Sequence, residues 1–325
     1  MNLNAKIYVA GHLGLVGSAL MRKLKDKGYN NLIVRTHDEL DLINQKAVAD
    51  FFVSEKPEYL ILAAAKVGGI YANNSYPAEF IFSNLSIQTN IIHQSYLSGV
   101  KRLLFLGSSC IYPRNCLQPI KEECLLTGSL EPTNRPYALA KIAGIEMCWS
   151  YNRQYSTKYL SVMPTNLFGV GDNYHLENSH VIPALIRKFH EAKVTKQDNV
   201  TVWGSGKAKR EFLYSDDMAE ACIFIMNLKD DIFNSLLACE RNDGLSPLLN
   251  LGSNKELSIA ELANLIKETV GFKGGIIFDI NKPDGTPRKL MDSARLNQLG
   301  WNESTSLRDG LKITYQDFLS SRDLK

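Results

Sequence analysis

The chain is predicted to be an α/β protein: a Rossmann-type doubly wound parallel sheet followed by a smaller C-terminal α/β domain. Three observations predict it. Short apolar runs alternate with helical patterns from residue 6 to about 163, and alternation of that kind gives parallel strands joined by helices. The first run ends directly in glycines at 11, 14 and 17, and a helical pattern follows. The chain has 325 residues with 45% hydrophobic content, enough core for one large or two unequal domains. The expected division is 1–165 and 166–325, with a strand near 248–252 returning to the first sheet.

The first strand spans 6–10 and the first helix about 16–27. Glycines three apart between them permit a tight turn, close approach of backbone to a pyrophosphate, and tight helix–strand packing, with the anion at the helix N-terminus. This assigns Gly11, His12, Leu13, Gly14, Leu15, Val16 and Gly17 to a dinucleotide. The second strand (31–34) ends at Arg35, Thr36 and His37. An NAD enzyme carries an acid here for the adenosine ribose, whereas a cation suits a 2′-phosphate. Asp41 either reaches the adenine amino group or caps the helix that starts near 44. A strand at 59–64 runs into small residues at 65–70, on the carboxyl edge where such sheets bind ligands. Pro77 opens a long helix, in which Asn84 and Asn90 are either exposed polar positions, the favoured reading, or cofactor contacts.

The strand at 102–106 ends in Leu106, Gly107, Ser108, Ser109 and Cys110. A serine just past a strand end supplies a hydroxyl donor for a carbonyl oxygen. Downstream, Tyr137 and Lys141 are four apart, hence on one face of the helix expected from there to about 155. A nearby ammonium favours the phenolate and makes Tyr137 a general acid/base. The strand at 159–163 ends in Pro164, Thr165, Asn166 and Leu167. Beyond it come a loop at 175–180, a helix at 181–192 and a short strand at 200–203. Lys207, Lys209 and Arg210 lie close to Trp203, an arrangement that suits stacking on a base and pairing with phosphate. Ser215 is placed to cap a helix through 226. Ser258 and Glu261 form a capping box.

The net charge of +3 argues against nucleic acid as a partner and for an anionic small molecule. Six scattered cysteines without a C-x-x-C pair, no apparent secretory signal and no long apolar run indicate reduced thiols in a cytoplasmic protein away from membranes. Cys110, Cys116, Cys124 and His180 lack zinc spacing, so no metal is expected.

These motifs resemble those of the extended short-chain dehydrogenases/reductases acting on nucleotide sugars. The longer strings at 64–70, 107–113, 131–134, 161–167, 178–184 and 282–289 resemble the GDP-L-fucose synthase family. The likeness runs from about Lys6 to about Phe318. It implies NADP(H), a homodimer, and GDP-4-keto-6-deoxy-D-mannose as substrate, epimerised at C3 and C5 and then reduced at C4 to GDP-L-fucose. Matching positions imply Cys110 as base and His180 as acid for the epimerisation, with His180 also beside the cofactor. They imply Ser108 and Tyr137 on the C4 oxygen, Lys141 on the cofactor ribose, and Lys188, Trp203, Arg210 and Asp284 on the GDP-sugar.

Three positions depart from the family. Leu13 and His37 stand where it commonly has Arg, leaving Arg35 as the fixed cation for a 2′-phosphate, and Lys188 stands where Arg is frequent. Two other readings fit part of the pattern. One is a nucleotide-sugar 4-epimerase or 4,6-dehydratase, which has no need of the Cys110/His180 pair. The other is a non-catalytic NADP(H)-sensing regulator, which has no need of Ser108 or Tyr137.

Overall fold

Strands buried on both faces must be apolar throughout, and the short runs of this chain are. The computed structural model describes residues 1–175, 179–237, 248–282 and 284–322. In β1 (Ile7–Ala10), Ile7 and Val9 enter one core layer while Tyr8 and Ala10 enter the other. The chain continues through α1 (Leu15–Asp26), β2 (Leu32–Ile33), α2 (Gln45–Glu55), β3 (Tyr59–Leu62), α3 (Ile70–Ser75), α4 (Pro77–Leu97) and β4 (Arg102–Leu106). Next come α5 (Arg135–Tyr155), β5 (Tyr159–Pro164), β6 (Asn166–Phe168), α6 (Val181–Val194), β7 (Asn199–Trp203) and β8 (Lys209–Tyr214). The remainder is α7 (Ser215–Met226), α8 (Asp230–Leu237), β9 (Leu248–Leu251), β10 (Glu256–Ser258), α9 (Ile259–Val270), β11 (Gly275–Asp279), β12 (Arg288–Lys289), α10 (Ala294–Gln298) and α11 (Leu307–Arg322).

The main sheet has the order β2-β1-β3-β4-β5-β9, and every pairing in it is parallel. The strand expected to return near 248–252 is β9, which pairs with β5 at Ser161↔Leu248. Helices α1 and α7 fill one face through Leu20, Leu24, Met218 and Cys222. Helices α2, α4 and α5 fill the other through Phe52, Ile91, Ile92 and Ile145. Strand order reverses at β1 and β3, so a crevice opens at their carboxyl ends. A second layer is built around β8, which pairs with β6, β10 and β12, beside the β7–β11 pair. Its core joins Phe189 of α6, Leu262 and Ile266 of α9, and Leu311 of α11.

Ser258 and Glu261 form the expected capping box at α9. Other local expectations fail. Asn84 and Asn90 are buried: Asn84 grips the backbone N–H and C=O of Lys66, and Asn90 donates to the carbonyls of Leu42 and Ile43. Each satisfies backbone groups of an irregular segment that has no ladder of its own. Ser215 caps nothing; Tyr214 occupies the N-cap position of α7. Asn44 caps α2 by accepting the Ala47 N–H, while Asp41 accepts the Ile43 N–H in the turn before it. The basic residues at 207–210 conceal a strand, because Phe212, Leu213 and Tyr214 behind them are buried. Of the strings singled out in the sequence, Asn178 and Pro283 lie outside the described residues.

Candidate active site

The glycine loop shows why side chains are excluded there. Gly11 has φ +88°, and a Cβ on it would sit 2.7 Å from the Ala64 backbone at the end of β3. A Cβ on Gly17 would lie 2.0 Å from the Gly11 carbonyl oxygen. Gly14 forms the N-cap of α1, and its N–H donates to the Gly11 carbonyl at 3.1 Å. A Cβ on Gly14 would meet only that oxygen, at 3.6 Å. The loop is thus drawn tightly against the end of β3 and the start of α1, with its N–H groups at a helix N-terminus, as a pyrophosphate requires. The Nδ1 of His12 is buried there without a partner. Leu13 and His37 are both exposed. Arg35 is not free: its guanidinium pairs with Glu55 and stacks over Phe51.

The floor of the crevice is the end of β4. Gly107 donates to the Val162 carbonyl and has Met163 where a side chain would stand. Ser108 begins a single 3₁₀ turn over Ser109–Ile111 and accepts the Cys110 N–H at 3.3 Å. Tyr137, on the first turn of α5, stands beside Ser108. Lys141, one turn on, is buried and donates to the Leu106 carbonyl at 2.8 Å. Its ammonium lies 5.8 Å from the Tyr137 ring centroid. Here the electrostatics depart from the sequence reading. Burial raises the Tyr137 pKa, the charge of Cys110 adds to the rise, and the Ser108 hydroxyl only partly opposes it. Burial also brings Lys141 down to about 7. Desolvation is the largest influence on both groups and favours the protonated phenol. Pro164, Thr165, Asn166 and Leu167 close the next edge, where Thr165 and Asn166 both donate to the Glu211 carbonyl.

Cys110 faces this pair. Its sulfur receives the Asn134 side-chain N–H at 3.3 Å and lies 3.6 Å from the Lys289 ammonium. His180 is the N-cap residue of α6. It keeps solvent access, yet desolvation, and then the charge of Lys289, hold its imidazole below the ordinary range. The remaining predicted residues gather from α6, β7, β8 and the loop before β12. Lys188 and Lys282 place their ammonium groups 5.1 Å and 5.2 Å from the Trp203 ring centroid. Arg210 donates to the Asp284 carbonyl at 3.2 Å, and the Asp284 carboxylate takes both the N–H and the hydroxyl of Ser205. Asp284 therefore fixes the loop that presents Trp203. Register pairs Lys289 with Arg210, which carries this cluster to the Cys110 side of the cleft. Asn134, Lys282 and Lys289 were not singled out as individual site residues from the sequence. Contacts across as many as 179 positions leave no local signal.

Residues 7–235 match the model of the NAD dependent epimerase/dehydratase family. The chain belongs to that family. It is 57% identical to GDP-L-fucose synthase 1 of Arabidopsis thaliana over 98% of this chain and 94% of that protein. It is 54% identical to the GDP-L-fucose synthase of Escherichia coli K12, with 98% of each chain covered. Among solved structures, a GDP-mannoheptose C4 reductase from Campylobacter jejuni with NADP bound is 40% identical, with a TM-score of 0.88 and 98% and 99% of the two chains covered.

Proposed function

We infer that the chain catalyses the GDP-L-fucose synthase reaction: it epimerises GDP-4-keto-6-deoxy-D-mannose at C3 and C5 and reduces the C4 ketone with NADPH. The observation that carries this reading is the Cys110 sulfur, two residues past Ser108, with the Asn134 amide at 3.3 Å and the Lys289 ammonium at 3.6 Å. A simple reductase has no use for a thiol there.

Gly11, Gly14 and Gly17 would hold the pyrophosphate of NADP(H), and Lys141 its ribose. The exclusion of side chains at 11 and 17 and the unpartnered His12 nitrogen fit that group. NADPH, when bound, supplies the hydride. Everything else falls to the chain. The C4 ketone acidifies the hydrogens on C3 and C5. The Cys110 thiolate takes each proton, forming an S–H bond while the C–H electrons move into a C–C double bond and onto the C4 oxygen. Ser108 and Tyr137 donate hydrogen bonds to that oxygen, whose charge exists only along the reaction. His180 returns a proton to the opposite face, and proton exchange with water restores the thiolate and the protonated imidazole before the second carbon is inverted. In the reduction, Tyr137 gives its proton to the C4 oxygen. Trp203 would stack on guanine, and Lys188 and Arg210 would meet the phosphates.

Residues 1–165 thus hold the cofactor and 166–325 mainly the sugar nucleotide. Helices α4 and α5 carry exposed Phe82, Leu97, Leu139 and Tyr155, which supports a homodimer built on that pair. Among the described residues, no helix is long and apolar enough to cross a membrane. A cytoplasmic location is part of this reading and follows from the cysteine pattern.

The test is incubation with the keto-sugar and NADPH, following nicotinamide absorbance and identifying the sugar by NMR. GDP-L-fucose is expected. A product reduced at C4 without inversion would make the chain a C4 reductase instead, and no oxidation of NADPH would remove the reading altogether.

A further inference from the structure

Cys110 can act as a base only as a thiolate, and a thiolate needs partners. Those partners come from two distant parts of the chain. The segment after Asp284 enters β12, parallel to β8, with Arg288 opposite Lys209 and Lys289 opposite Arg210. Alternate residues of a strand point to opposite faces. Arg288 accordingly turns outward to Glu256 at 2.7 Å, and Lys289 turns into the cleft. The strand is pinned just beyond. Leu290 donates to the Gln118 side chain at 2.8 Å, and Met291 donates to the buried Glu211 carboxylate at 3.1 Å. Lys289 therefore projects from an anchored backbone, with its ammonium 3.6 Å from the Cys110 sulfur. Among the described residues, no carboxylate forms an ion pair with it. The second partner is Asn134, which donates at 3.3 Å from the turn that leads into α5. Both groups within hydrogen-bond reach of the sulfur are donors.

We propose that Lys289 and Asn134 are positioning residues that hold the Cys110 sulfur as a charged base, with Lys289 as the principal contributor. The proposal rests on the reading of Cys110 as the epimerisation base. A cation within about 4–6 Å favours the anionic form of a neighbouring group. The other groups facing the sulfur are Ser108, which accepts the Cys110 N–H, Tyr137 on α5, and Arg210 on β8, whose charge interacts with that of Cys110. His180 faces Lys289 from the start of α6. Glu131, on the rim of the same cleft, is paired with Arg114 at 3.2 Å, so it does not cancel Lys289. The same ammonium disfavours a second positive charge on His180. The competing role for Lys289 is a plain contact to substrate phosphate.

The experiment uses the full chain with NADP⁺ bound, as wild type, Lys289→Met, Lys289→Gln, Lys289→Arg and Asn134→Ala. Cys110 alkylation by iodoacetamide is followed against pH by mass spectrometry of its peptide, and deuterium entry at C3 and C5 is followed in heavy water. In Lys289→Met and Lys289→Gln, the alkylation midpoint should rise by about one pH unit, and neutral-pH deuterium entry should fall about tenfold through kcat. Lys289→Arg should restore both, and Asn134→Ala should shift the midpoint by less. If one neutral variant fails to fold, the other and the arginine variant still give the comparison. An unchanged alkylation midpoint overturns the proposal, as does a defect confined to KM. Normal deuterium entry in Cys110→Ser would instead sink the base assignment, while the alkylation result would stand or fall independently.

Discussion

Gly17→Ala and Gly14→Ala place the same methyl three residues apart with opposite consequences. At Gly17 the new carbon would stand 2.0 Å from the Gly11 oxygen and 2.6 Å from its carbonyl carbon, when ordinary contact begins at 3.4 Å. The loop or α1 must therefore move by about 1.4 Å, and neither neighbour is the flexible end of a side chain. Over-packing of this kind costs about 1–3 kcal/mol of stability. The shift also pulls apart the Gly14-to-Gly11 hydrogen bond and turns the α1 N–H groups away from the pyrophosphate. A loss of about 100-fold in NADPH affinity is expected, equal to about 2.7 kcal/mol. At Gly14 the methyl finds 3.6 Å to the same oxygen, so the melting temperature should be unchanged. Any loss of affinity in Gly14→Ala then reports the cofactor itself pressed against that backbone. Thermal melts and NADPH fluorescence titrations on both variants decide the matter. Native NADPH affinity in Gly17→Ala would refute the argument that this loop cradles the dinucleotide.

Other outcomes follow from the same geometry. Tyr137→Phe should lower hydride transfer about 10²-fold or more while deuterium still enters C3 and C5. Cys110→Ser should abolish that entry yet slowly reduce the unepimerised ketone, and His180→Ala should give incomplete inversion; NMR of products made in heavy water reads all three. Leu13→Arg with His37→Arg should raise the NADPH/NADH ratio of kcat/KM about tenfold, since both positions are open and Arg35 is engaged by Glu55. No change in that ratio would place the 2′-phosphate elsewhere. Lys141 is depressed to about 7, below its unfolded value, so the unfolded chain binds the extra proton between about 7 and 10.4. Urea stability of the free protein should therefore rise with pH across that window, and Lys141→Met should flatten the rise.

What the sequence revealed depended on the range of the signal. Gly11, Gly14 and Gly17 lie within one turn, and Tyr137 with Lys141 within one helical repeat, so local spacing carried their geometry. The capping box at Ser258 was legible for the same reason. Polarity misled where distant backbone supplied the partners. Asn84 and Asn90 read as surface residues because nothing local shows that the 66 and 42–43 carbonyls lack ladder bonds. The basic run before Phe212 hid a central strand, since edge charges outweighed three apolar residues. The spacing of Tyr137 and Lys141 placed them on one face, while the expected lowering of the Tyr137 pKa is opposed by burial. Desolvation is a property of the packed crevice and cannot be counted along one helix.

The crevice pushes Lys141, Lys188, His180 and Tyr137 toward uncharged forms. Burial lowers Lys141, Lys188 and His180 and keeps the proton on Tyr137. In such surroundings a charge appearing on the substrate is costly unless donors already await it. Epimerisation and reduction differ in their proton carriers, yet both develop negative charge on the same C4 oxygen, first as enolate and then as alkoxide. Ser108 stands where it serves both. Ser108→Ala should therefore slow deuterium entry and hydride transfer alike, by about 10²–10³-fold, the scale for losing one such donor. Ser108 also accepts the Cys110 N–H, so a parallel Ser108→Thr variant, which keeps the hydroxyl, is needed to separate the donor from the turn it stabilises. Threonine should recover most of both rates. Deuterium wash-in and single-turnover oxidation of NADPH, measured on one preparation, give the two numbers. If alanine slows one reaction by two decades and spares the other, the two chemistries do not share an oxyanion site, and the single-pocket mechanism fails with it.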